Sequence, residues 1–248
     1  MTAVMAIVRV TSRQLLGRRR VIGLMLLSMI APFIFFMASG ASPGRDHVEE
    51  YFGILIGFQF GIVMAVITIV VASSSLGDER RQHTLSFLVV RPLPRAAIAG
   101  AKLLTAWLVS FLVTATGTVT MALLMGWRDG TWQYVAPTII ALAIGTLGYA
   151  ALFVPFGYLV TRATVIGMVY VFLWELAITT PLSALAPTSV WKTTNVAFAG
   201  MVGVTDFDYG PVLGNMAPGV GGTLVKFLVL SAVSVAVTAV LLRRRDID

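Results

Sequence analysis

The residues of this chain that could do chemistry are few, and their spacing excludes most of it. There is no cysteine, which excludes disulfides, thiolate nucleophiles and Cys-ligated metals. The two histidines, His47 and His83, stand on opposite sides of a long apolar run, so they cannot share a metal ion. Acid–base catalysis inside a membrane needs paired acids, or a His beside an acid, at one depth. Glu175 is the only ionisable residue well inside an apolar run, and Glu49-Glu50 lies outside such runs. No G-x-x-x-x-G-K-[ST] phosphate loop occurs; Gly100-Ala101-Lys102 lacks the first glycine and the adjacent Gly-Lys. The chain is therefore expected not to be an enzyme. If ATP drives its work, another polypeptide hydrolyses it.

The densest functional signal is a charged island, Gly77 to Lys102, between two greasy segments. Ser75-Leu76-Gly77-Asp78 fits the [ST]-x-x-[DE] capping pattern, which predicts a new helix there. Asp78 and Glu79 suit that helix's first turn. Leu85, Leu88 and Val89 share one face, while Arg80, Arg81 and His83 fall largely elsewhere. Arg91-Pro92 stops the helix, because the residue before a proline avoids the α region. Pro94 suits the first turn of the next helix, which returns to the membrane through Arg95 and Lys102. A short amphipathic helix followed by a rigid break would leave its apolar face exposed without a partner.

The elements that must position this island are membrane spans. The chain is 58% hydrophobic and 12% charged, with a mean hydropathy of +0.90. Soluble domains carry about 25% charged residues. Six apolar runs of spanning length lie at approximately 21–39, 54–76, 103–126, 135–160, 165–183 and 224–242. The fourth holds Pro137 and Pro155 and is expected to tilt or to end early at Pro155. The first is longer than the apolar core of a cleaved leader, so it is read as a retained span. Fourteen of the 18 basic residues fall in the two termini, the island and the turn at Arg162. The positive-inside rule then places both termini and the island in the cytoplasm. The net charge of +7 is a topology signal, and no nucleic-acid partner is expected.

Three further features bear on function. Residues 3–16 read as an amphipathic interface helix, with Val4, Ile7, Val8 and Leu15 opposite Arg9 and Arg13. Gly53, Gly57 and Gly61 form two overlapping G-x-x-x-G steps, suited to close packing within one chain or at a seam between two. Glu175 must face protein or water, either lining a substrate path or bonding a neighbouring hydroxyl as structural glue. The Gly- and Pro-rich segment from Ala184 to Thr223 is expected to be a structured outer cap with short helices near the membrane surface.

The island resembles the signature of ABC-2-type transporter permeases, in which a span is followed by Glu-basic-x-x-x-Thr-Leu-x-x-Leu, then a Pro, a basic residue and a Lys. Glu79, Arg80, Thr84, Leu85, Leu88, Pro92, Arg95 and Lys102 stand at the matching places. Arg81, His83 and Ser86 depart from the family's usual acid, Gly and acid. The Tyr170–Glu175 run is similar to a common family run as well. The resemblance implies one all-α integral membrane domain over 1–248, in the plasma (inner) membrane. It implies a second permease chain as homodimer partner and a separate ABC ATPase subunit, which would hold the ATP and Mg; this chain would bind no cofactor and no metal. It further implies that the 78–90 helix, with Asp78 and Arg81, is the coupling helix and that Arg162 marks a second, smaller contact. Function is then expected to be export of a hydrophobic or amphipathic small molecule, peptide or lipid-like compound. The alternative is a non-transporting membrane subunit that anchors an ATPase for regulation or assembly.

Overall fold

Long apolar runs without water must satisfy every backbone group internally, and helices do this within one segment. The computed structural model describes residues 11–12, 15, 17–41, 47–81, 94–203 and 209–244, and no strand occurs among them. The helices are α1 (Arg18–Ser28), α2 (Ile30–Ala41), α3 (Val48–Gly53), α4 (Met64–Arg81), α5 (Arg95–Asp129), α6 (Val135–Leu159), α7 (Ala163–Val169), α8 (Val190–Val202), α9 (Gly210–Leu213) and α10 (Val220–Arg244). Two π-helical segments, π1 (Ile54–Val63) and π2 (Tyr170–Ile178), continue α3 into α4 and extend α7.

Five stretches are long and apolar enough to cross a membrane: Arg19–Gly40, Val48–Gly77, Arg95–Asp129, Trp132–Leu159 and Val220–Arg243. The stretch expected as a fifth span of six is a shorter apolar helix, Ala163–Ile178. The first span pauses at Met29, because Pro32 has no N–H to give the carbonyl of Ser28. The third ends at Gly130, whose φ of 70° is the left-handed conformation that glycine supplies at helix C-termini.

Several expectations are corrected. Pro155 does not end the fourth span; α6 runs through it to Leu159, with Pro155 buried among neighbouring helices. Ser75 caps no new helix, because α4 continues past it to Arg81 and its hydroxyl donates back to the carbonyl of Ala72 at 2.8 Å. The segment after residue 183 forms short helices, as expected, but α8 is packed into the bundle, with every residue from Val190 to Ala199 buried. Lys102 lies two turns inside α5 and is fully buried within the protein. Of the 3–16 helix only Thr11, Ser12 and Leu15 are described. They are helical, and Leu15 packs with Val63, Ile67, Val71, Val109 and Val113 rather than lying in lipid.

α6 is the hub, packing on α4, α5, α8 and α10, while α1 and α2 lie along α5 and α7 lies along α4. Two crossings bring backbones together. Ser28 Oγ donates to the Thr114 carbonyl at 2.9 Å and accepts from the Gly117 N–H at 3.1 Å. A Cβ on Gly117 would come within 1.8 Å of the Ser28 carbonyl oxygen, and one on Gly157 within 2.2 Å of that of Ser73. The glycine ladder divides: a Cβ on Gly61 would lie 3.3 Å from Trp191 Nε1 within the chain, whereas one on Gly53 or Gly57, both exposed, would meet nothing within 4 Å.

Gly117→Ala and Gly157→Ala should each cost about 2 kcal/mol or more, since backbone carbonyls must move. In detergent-solubilised protein that is a drop of roughly 5 °C in melting temperature. Gly53→Ala, facing open space, should leave the melting temperature unchanged; equal effects in all three would contradict these crossings.

Candidate functional site

One end of the bundle gathers the basic residues. Arg20 Nη2 donates to the Val70 carbonyl at 3.0 Å, and Arg95 Nη1 to the Leu242 carbonyl at 2.9 Å. The start of the first span thus reaches α4, and the start of α5 lies beside the end of α10. Gln59 Nε2 donates to Thr118 Oγ1 at 2.6 Å and ties the second span to α5.

The local sequence explains the close fit at this end. Ser73, Ser74 and Ser75 are small, and their hydroxyls return bonds to carbonyls three or four residues back, so they ask for no water. With glycine at 157, the α6 backbone can lie directly on that of α4; a Cβ on Gly77 would sit 3.0 Å from the Gly157 carbonyl oxygen. The chain then turns through Val160–Arg162 into α7, where Thr164 Oγ1 lies 2.8 Å from Ser73 Oγ. A cavity of about 120 Å³ remains between them, lined by Ser73, Gly77, Gly157, Val160, Thr161, Ala163 and Thr164.

The expected coupling residues fall around this notch. Asp78, Glu79, Arg80 and Arg81 form the last turn of α4, immediately after Gly77. Arg162 is exposed at the start of α7. The structure thus brings Asp78–Arg81 and Arg162 to one end of the molecule. Thr84, Leu85, Leu88 and Pro92 lie outside the described residues. Pro94 stands just before α5, and Arg95 opens it. Sequence reasoning missed Ser73, Gly157 and Thr164; the run of three serines inside an apolar span was the available signal.

A second polar cluster surrounds Glu175 in the middle of the bundle, beside Tyr149 of α6. Glu175 is fully buried. Its carboxylate accepts from the Val190 N–H at 3.0 Å, from Tyr149 Oη at 3.2 Å and from the Ser189 hydroxyl. Ser189 Oγ in turn accepts from the Lys192 N–H at 3.0 Å, capping α8. The charges of Lys192 and Lys226 fall within electrostatic reach of the carboxylate. Tyr149, Ser189 and both lysines were missed, because nothing in their own neighbourhoods marks them. No group of three metal-type ligands converges among the described residues.

A helical bundle thus carries a charged helix end and a basic turn gathered around one notch. The chain belongs to the ABC-2 family transporter proteins, whose family model matches residues 16–180. It is a multi-pass membrane protein, and its family implies association with an ABC ATPase. No curated protein matches the chain.

If the notch is built as described, Ser73→Cys/Thr164→Cys should form a disulfide under mild oxidation, since the hydroxyls they replace are 2.8 Å apart. The cysteine-free background makes the assay direct: the oxidant takes two hydrogen atoms, and intact mass falls by that amount. Ser39→Cys/Thr164→Cys, with residues at opposite ends, should stay reduced.

Proposed function

We propose that the chain is the membrane-spanning permease subunit of an ABC exporter, powered by a separate ATPase subunit that holds ATP and Mg. The observation that carries this reading is the juxtaposition of Asp78–Arg81 with Arg162 around the Ser73–Thr164 notch, within a chain of the ABC-2 family. A carboxylate pair and three arginines on one end of an apolar bundle suit a polar, charged groove on a soluble partner. The excess of basic residues at the termini and island supports a cytoplasmic setting for this face. Two copies of the permease would pair as a homodimer in the plasma (inner) membrane, and the exposed Gly53 and Gly57 suit such a seam.

Mechanically, ATP binding draws two ATPase subunits together, and each pulls on the island of one permease. Because α4 and α6 touch backbone to backbone at Gly157, force on the end of α4 reaches the hub helix without slack. Access to a cavity between the two permeases then changes sides as a shift between two populated states. Cargo of apolar or amphipathic character suits walls rich in Phe, Trp and Met.

In the complex purified with its ATPase, Glu79→Ala should lower coupling of ATP hydrolysis to transport about tenfold, as for loss of a charged interface contact. Leu85→Asp should lower it about thirtyfold or more, as for loss of an apolar anchor. Both variants should keep the parent's melting temperature. Unaltered coupling in both variants would sink the mechanism, and a co-purifying ATPase without any transported cargo would favour an anchoring subunit instead.

A further inference from the structure

Halfway through the bundle the chain leaves regular helix on an exposed face. Glu175, near the end of π2, bonds Tyr149 Oη in the middle of α6. Phe227 and Val190 both meet α6 at Gly148, where a Cβ would come within 2.9 and 3.0 Å of them. Gly148 is about 16 Å from one end of α6 and about 20 Å from the other. Between Glu175 and Val190 the chain turns back on itself and ends in a 3₁₀ segment, Ser183–Thr188. Pro187 and Thr188, one or two residues from the buried Ser189, are exposed. Lys226, half-buried on α10, donates from Nζ to the Pro187 carbonyl and, at 2.7 Å, to Thr193 Oγ1.

Lipid tolerates neither of these features. Non-helical backbone at membrane depth occurs only where protein covers it or water reaches it. A lysine at that depth likewise faces protein or a water-filled cavity. Protein cover would need a carboxylate for the ammonium, and this chain has none to offer there. Glu175 is the only acid inside an apolar run, and its oxygens are already taken by the Val190 N–H, Tyr149 Oη and the Ser189 hydroxyl. Both acceptors of Lys226 are neutral oxygens, and among the described residues no carboxylate lies within ion-pair distance of it. A second copy of the chain brings the same acids, so it cannot supply the missing charge. Water therefore reaches this corner, and an anion is the group that completes it. Apolar surface flanks the ammonium: Leu182 of the turn is 52% exposed, and Val229, one helical turn beyond Lys226, is 59% exposed.

We infer that Lys226, with the Pro187–Thr188 corner, is a binding site for the negative headgroup of an amphiphile: a carboxylate, phosphate or sulfate on an apolar tail. The inference rests on the permease reading above and gives its cargo a charge. Lys226 holds the headgroup, and the surface at Leu182 and Val229 takes the tail.

The test uses the full complex with its ATPase in phosphatidylcholine vesicles. Thr188→Cys is the reporter, in a chain without other cysteines. Its thiol displaces sulfinate from a methanethiosulfonate only where water reaches it. Thr188→Cys should react, as exposed Glu49→Cys at the start of α3 should, whereas Leu228→Cys on the opposite side of α10 from Lys226 should not. Relative to their rates with free cysteine, the anionic sulfonatoethyl reagent should outpace the cationic trimethylammonioethyl reagent about tenfold at Thr188→Cys. Lys226→Gln, which keeps a donor but not the charge, should erase that ratio, and Lys226→Arg should keep it. Dodecyl phosphate should block labelling by the uncharged methyl reagent, and dodecyltrimethylammonium should not; this arm needs no change at Lys226. Block by phosphatidylglycerol in the vesicles, with no added ligand, makes a bilayer lipid the occupant, and labelling that persists there makes it a free amphiphile. No reaction at Thr188→Cys, or an equal reaction at Leu228→Cys, overturns the water-filled corner. A ratio that survives Lys226→Gln, or equal block by the two amphiphiles, overturns the anion site. These readings do not depend on the ATPase, whose absence from the purified complex would instead take down the permease reading.

Discussion

Everything in this fold depends on one constraint: in hydrocarbon, each backbone N–H and C=O must find its partner inside the protein. Helices meet it along their length but not at their ends or breaks. The structure therefore spends its polar side chains where the helical ladder is interrupted. Ser28 bridges the Thr114 carbonyl and the Gly117 N–H beside the pause at Met29. Trp191 Nε1 reaches the Ile56 carbonyl, inside π1, at 2.8 Å. His47 opens α3, and its N–H donates to the Asp129 carboxylate at 3.0 Å where α5 ends.

The same constraint changes how polar residues in a greasy sequence should be read. Thr68, Thr105, Ser110, Thr114 and Thr118 are all buried and could be taken for a substrate path. Each instead donates to the carbonyl four residues earlier, so its polarity is satisfied within its own turn. Buried hydroxyls here let helices pack closely without leaving an unpaired group.

Spans were legible in the sequence because apolar run length is a property of one segment. The positions of five were readable, although the second begins at Val48 rather than near 54 and the third at Arg95 rather than 103. Departures came where a neighbour outvotes a local rule. Ser75 looks like a cap, but α6 lies against α4 at Gly157 and the helix simply continues. Pro155 looks like a stop, but it is buried among neighbouring helices and α6 continues through it to Leu159. α8 carries Lys192, Thr193, Thr194 and Asn195 in succession, which reads as surface, yet all four are buried. Thr193, Thr194 and Asn195 each donate to the carbonyl four residues earlier, so their polarity is met within the helix while the elements that bury them come from elsewhere in the chain. The family signature was legible because its residues are contiguous; the partners of Glu175 were not, because they lie 14 to 26 residues away.

The rod from Ala163 to Ile178 explains why the chain tolerates a carboxylate at Glu175. Sixteen residues rise roughly 24 Å, short of the ~30 Å hydrocarbon core. The rod therefore stops inside the apolar layer, and the chain must turn there and start α8 without water. The first N–H groups of α8 have no preceding helical turn to supply carbonyls, and a helix N-terminus favours negative charge. Glu175 supplies it, taking the Val190 N–H directly and the α8 cap residue Ser189 through its hydroxyl. Tyr149 Oη adds a further donor, so the buried carboxylate oxygens are hydrogen-bonded rather than bare. A full-length span would need none of these residues, so the carboxylate, its three donors and the short rod are one structural solution.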